Sequence, residues 1–146
     1  MPQTIAACLC LMIATTLIHY EVLRHLNTQL QRWHIPDRFK VVVAILGSFM
    51  AHVMEIALYG ATLYTLVDWL DAGNLKGTAA EPWVSFLYFS AETYTSLGFG
   101  DLTPVGPVRL LVGTEALNGL LLITWTASFT YLCMERFWQP PAGVRP

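Results

Sequence analysis

Three apolar runs, roughly Pro2 to Leu26, Val41 to Val67 and Val108 to Tyr131, constrain this chain more than any other feature. Each is long enough to cross a hydrocarbon core, which takes about 20 helical residues. Inside lipid every backbone N–H and C=O must be satisfied within the protein, so such runs fold as helices. Composition agrees: 55% of the 146 residues are hydrophobic and 12% charged, and mean hydropathy is positive. That excludes an ordinary water-soluble domain. Cys8, Cys10 and Cys133 fall inside apolar stretches and read as buried free thiols, not a disulfide framework. The first run lacks a positive leading segment, so it is expected to stay in the membrane and not be cleaved as a signal peptide.

Charge gives the orientation. Arg24, Arg32, Arg38 and Lys40 lie between the first two runs, and Arg136 and Arg145 follow the third. The other side keeps Lys76 and Arg109 and collects Asp68, Asp71, Glu81 and Asp101. Basic loops stay in the cytoplasm. The expected protein is therefore multi-pass in the cell (inner) membrane, with its N-terminus outside and its C-terminus cytoplasmic. Leu23, Leu26, Leu30 and Trp33 recur at helical spacing among polar residues, which suits an interfacial extension of the first helix. Ile35-Pro36 ends that extension, and Asp37 is placed to cap the second helix.

Between the second and third runs lies an apolar-aromatic segment, Trp83 to Tyr94, too short to span. Pro82 suits its first turn. It leads into Thr95-Ser96-Leu97-Gly98-Phe99-Gly100-Asp101. This sequence resembles the selectivity-filter signature of pore-loop potassium channels, and residues 41–138 are similar to the two-helix pore module of that family: outer helix, pore helix, filter, inner helix. A stack of backbone carbonyls can replace the hydration shell of a potassium ion if all point one way. That requires alternation into positive φ, which glycine adopts freely, and Gly98 and Gly100 have the alternating spacing.

The resemblance implies an all-α membrane fold: three transmembrane helices plus a re-entrant pore helix and selectivity filter, in a tetrameric potassium-channel pore. Residues 1–36 form an additional N-terminal helix. Residues 37–138 form the pore module (outer helix 37–70, turret 71–81, pore helix 82–95, filter 96–101, inner helix 107–137), and 139–146 a short tail. One filter strand cannot enclose an ion, so a homotetramer in a lipid bilayer is implied. K+ would bind at Ser96, Leu97, Gly98, Phe99 and Gly100 as permeant ion. No cofactor, enzymatic activity or nucleic-acid partner is expected.

Glu92 and Asp101 correspond to a carboxylate pair that braces the filter in simple bacterial relatives, and Gly119 falls at a common hinge position. Gly113 and Gly119 read equally as close-packing glycines. Ile123, Ala127, Thr130 and Tyr131 are gate or cavity candidates. The common filter has Thr, Val and Tyr where Ser96, Leu97 and Phe99 stand, so a weakly selective cation channel is an alternative. The connection from Pro104 to Arg109 is a residue shorter than in the simplest relatives.

His52 and Glu55 lie three apart inside the second run, where ionisable groups are costly. They read as a satisfied polar contact, a pH-sensing pair or part of a metal site; a non-conducting metal-binding or interaction protein is the alternative of another class. Glu115 is expected to pair with His52, with bracing of the pore helix or facing a cavity as the other options. No helix carries Arg at every third position, and only about ten residues follow Glu135, so neither a voltage sensor nor a soluble gating domain is expected.

Overall fold

The computed structural model describes residues 1–77 and 82–138. Its elements run α1 (Pro2–Arg32), α2 (Asp37–Asp68), β1 (Asn74–Gly77), α3 (Pro82–Tyr94), β2 (Leu102–Val105) and α4 (Val108–Phe137). Helices α1, α2 and α4 are each long and apolar enough to cross a membrane. The fold is that of an all-α membrane protein. Glu81, Arg145 and the tail 139–146 lie outside the described residues.

The anticipated span and interfacial extension at the N-terminus are one unbroken helix of 31 residues, about 46 Å at 1.5 Å per residue. It stops at Arg32, three residues before the proline signal, with Trp33 extended at ψ 133°. Asp37 does not cap α2. Pro36 holds the cap position without a side-chain bond, and Asp37 is the first helical residue, ion-paired to Lys40 at 2.9 Å. The outer loop also differs from expectation: β1 pairs antiparallel with β2, from Asn74 opposite Val105 to Gly77 opposite Leu102. This ribbon ties the turret to the chain leaving the filter. Four-residue strands rich in Gly, Lys, Asn and Pro have little strand propensity of their own, so pairing decides them.

The core lies between α2, α3 and α4. Tyr59, Leu63 and Leu66 of α2 meet Phe86, Phe89 and Tyr94 of α3 and Val108, Leu111 and Leu122 of α4. Helix α1 adds Cys8 and Leu11, but most of its buried stripe is polar or small: Thr4, Cys8, Thr15 and His19. Its outward face carries Ile5, Leu9, Met12, Ile13 and Leu17. That inversion fits lipid, where apolar contact gives little drive and hydrogen bonds hold helices together. Asn118 of α4 donates to Thr15 at 2.7 Å and to Tyr59 at 3.2 Å, joining three helices. Cys8 and Cys133 are buried free thiols, but Cys10 is exposed on the outward face of α1.

Candidate functional site

Helix α3 is 13 residues long, about 20 Å, and packs against α2 and α4. Ser90 fixes it to both. Its Oγ lies in hydrogen-bond contact with both the Ile56 carbonyl, at 2.8 Å, and the Glu115 side chain, its single proton serving one of them at a time. Glu115 therefore holds the pore helix and does not pair with His52, as the sequence had suggested. Among the described residues its Oε2 has no hydrogen-bond partner, although Glu115 is fully buried.

After Tyr94 the chain turns and its backbone alternates. Positive φ occurs at Ser96 (57°), Gly98 (57°) and Gly100 (80°). The two glycines adopt these angles freely. Ser96 was not anticipated there and costs about 1–2 kcal/mol as an L-residue, held by its N–H bond to the Thr93 carbonyl at 2.9 Å. The intervening N–H groups turn back to Glu92. Leu97 donates to its backbone carbonyl at 2.8 Å and Phe99 to its Oε2 at 3.3 Å. Since the peptides are trans, each carbonyl opposes the N–H across its own bond. The carbonyls of Ser96 and Gly98 thus point away from Glu92.

The two carboxylates act on the filter separately. Among the described contacts Glu92 and Asp101 do not bond one another; Asp101 accepts from Tyr88 Oη at 3.1 Å and from the Leu102 N–H at 3.0 Å. The Tyr88 ring also stacks on Phe99, with centroids 6.5 Å apart and planes 3° from parallel. Desolvation first, then the bond to Asp101, raises the Tyr88 pKa above its ordinary value, so the hydroxyl remains a donor. Sequence reasoning missed Tyr88. The available signal was an aromatic one helical turn ahead of Glu92. Glu92→Ala is expected to leave the Phe99 N–H unpaired, costing about 1–3 kcal/mol and lowering the thermal midpoint. Glu92→Gln keeps a carbonyl acceptor and is expected to retain most stability, as circular dichroism melts will check. Tyr88→Phe keeps the stack but loses about 0.5–1.5 kcal/mol of filter anchoring; the expected result is an intact fold with faster current decay in planar bilayers.

Below the filter, Ile123, Ala127 and Tyr131 are exposed along one face of α4, and Thr130 is partly buried. Gly119 is not free: a Cβ there would lie 2.2 Å from the Tyr94 carbonyl oxygen. It is the point where α4 touches the end of α3. At Gly113 a Cβ would meet nothing within 4 Å, so that glycine has no packing role within the subunit.

His52 and Glu55 do meet, Nδ1 to Oε2 at 3.2 Å, but inside a larger cluster. His19 of α1 joins Glu55 Oε1 at 2.9 Å, and Tyr94 donates to Glu55 Oε2 at 2.5 Å. His19 escaped the sequence reading, although with Thr4 and Thr15 it marks one polar face of an apolar helix.

Helix α2, the short α3, the filter with its alternating backbone and α4 together define a pore-loop channel subunit. Residues 41–136 match the ion channel family, and the chain belongs to it. The chain is also similar to the inward rectifier potassium channel Kirbac3.1 of Paramagnetospirillum magnetotacticum, at 43% identity over 97 residues. The alignment covers 66% of this chain and 32% of that protein, so the chain spans about a third of the relative's length. No solved structure matches the chain. Helix α1 lies outside the matched segment.

Proposed function

We propose that the chain is a subunit of a homotetrameric, potassium-selective channel that conducts K+ passively along a central axis. The observation that carries this is the alternation at Ser96, Gly98 and Gly100, with the Leu97 and Phe99 amides turned to Glu92. Four such strands offer rings of carbonyl oxygens, and ions move between rings by knock-on. Leu97 and Phe99 are 59% and 66% exposed in the isolated subunit. Large apolar side chains beside a filter need cover, which neighbouring copies supply. The similarity to a potassium channel, at 43% identity over 97 residues, points the same way.

Orientation follows from charge. Arg136 bonds Asn27 and Lys40 lies over Phe137, so the basic residues gather at one end, which faces the cytoplasm under the positive-inside rule. The opposite end carries Asp68, Asp71 and Asp101, which in four copies concentrate cations at the mouth. Ile123, Ala127 and Tyr131 line the inner path, where an apolar ring can close by dewetting.

Reconstituted into liposomes, the protein should pass K+ with a reversal potential near the K+ equilibrium value in mixed K+/Na+ gradients. Equal permeability would replace this reading with a weakly selective cation channel, a result that Leu97 and Phe99 in place of smaller or hydroxylated residues would explain. No flux at all would defeat both.

A further inference from the structure

We propose that His19, His52 and Glu55 form a binding site for one first-row divalent cation per subunit, zinc by its donor set, placed between α1 and α2 at the end of α3. The three residues offer ligand atoms that all lie within 4.8 Å of one another. His19 and Glu55 are fully buried, and the His52 side chain is 14% exposed. Both imidazoles turn the same ring nitrogen inward: Nδ1 of His19 is 2.9 Å from Glu55 Oε1, and Nδ1 of His52 is 3.2 Å from Oε2. The Tyr94 hydroxyl joins them, 2.9 Å from His52 Nδ1. Ligand atoms on a tetrahedral zinc with bonds of about 2.0–2.1 Å sit roughly 3.3 Å apart. The two Nδ1–carboxylate spacings already lie near that value, and the 4.8 Å limit over all the ligand atoms leaves up to roughly 1.5 Å for the side chains to close around a cation.

The outer side of the cluster is built to the same end. Nε2 of His52 lies 2.9 Å and Nε2 of His19 3.2 Å from the single Thr126 hydroxyl oxygen of α4. When both Nδ1 atoms coordinate a cation, both Nε2 atoms carry hydrogen. Thr126 Oγ1, with two lone pairs, accepts from both. One residue thereby fixes the tautomer and tilt of two ligands, the usual task of a group behind a metal-bound histidine.

Charge supplies a further reason. Glu55 is a buried carboxyl hydrogen-bonded to His19, His52 and Tyr94, and no Lys or Arg pairs with it among the described residues. Burying a carboxylate is expensive. A divalent cation compensates it, and an imidazole-carboxylate donor set favours zinc over Mg2+, Ca2+ or K+. Occupancy would clamp α1 to α2 and hold Tyr94, the residue before the filter sequence begins, which gives the additional helix a task.

The full chain, purified in detergent and stripped with chelator, is dialysed against Zn2+ alone. One zinc per subunit is expected, undisplaced by a tenfold excess of Mg2+ or Ca2+. His19→Gln and His52→Gln should each weaken binding at least tenfold, while His25→Gln and His34→Gln, at exposed positions, should bind as the parent does. Thr126→Val should keep the stoichiometry and lose affinity by about 10–100-fold. Absence of bound zinc in the parent protein overturns the proposal, as does equal loss in all four histidine variants. Should the glutamine variants fail to fold, the Co2+-loaded parent decides: tetrahedral visible absorption bands support the site, and an octahedral spectrum overturns it. Binding does not depend on conduction, so failure here leaves the channel reading standing, and absence of flux leaves the metal result standing.

Discussion

Gly98→Ala is expected to abolish K+ flux while leaving the subunit folded. Gly98 has φ +57°, and a Cβ there would meet nothing within 4 Å in the subunit. Steric crowding inside the fold is therefore not the obstacle. The obstacle is conformational: an L-residue held in the left-handed region costs about 1–2 kcal/mol. In the proposed tetramer all four strands must be in register, so the cost per pore is roughly 4–8 kcal/mol. At about 1.36 kcal/mol per factor of ten, that depopulates the conducting arrangement by about a thousandfold or more. Liposome flux should fall to background, with helical circular dichroism and melting temperature near the parent values. Parent-level flux in Gly98→Ala would mean that the carbonyl alternation at this residue is not what conducts.

Gly119→Ala should fail for the opposite reason. Its φ is ordinary, but the added methyl would sit 2.2 Å from the Tyr94 carbonyl oxygen and 3.0 Å from its carbonyl carbon. Backbone meets backbone at this contact, so no side-chain rotation relieves it. Either α4 moves outward or the end of α3 shifts, and Tyr94 is the residue before Thr95. Overpacking of this kind costs about 1–3 kcal/mol per subunit, and the displacement reaches the filter directly. The expected result is a lowered melting temperature together with loss of most flux. Gly113→Ala, on the same helix with open space around it, is the control and should behave as the parent does. If Gly119→Ala melts and conducts normally, the close approach of α4 to Tyr94 is unimportant, and hinge flexibility becomes the only role left for this glycine.

The three spans were legible because a chain in lipid has so few ways to satisfy its backbone. The filter was legible because positive φ at alternate positions calls for glycine, and Gly98 and Gly100 supply it. Contacts were harder to read. The sequence placed His52 and Glu55 on one face of a helix, but periodicity reports a face and never what the face meets. So Glu115 was matched to His52 when it holds Ser90, and Glu92 to Asp101 when its carboxylate takes the Phe99 amide. Tyr88 and His19 went unseen for the same reason, their partners lying 13 and 36 residues away.

The sequence by itself determined how many times the chain crosses a membrane and where its backbone can turn carbonyls to one side. Both are local properties, fixed by run length and by the absence of a Cβ. Tertiary structure alone decided which buried polar groups share hydrogen bonds, why Gly119 has no side chain, and how α1 joins the pore module. Those outcomes depend on direct contacts between residues far apart in the chain, which arise only when whole helices pack.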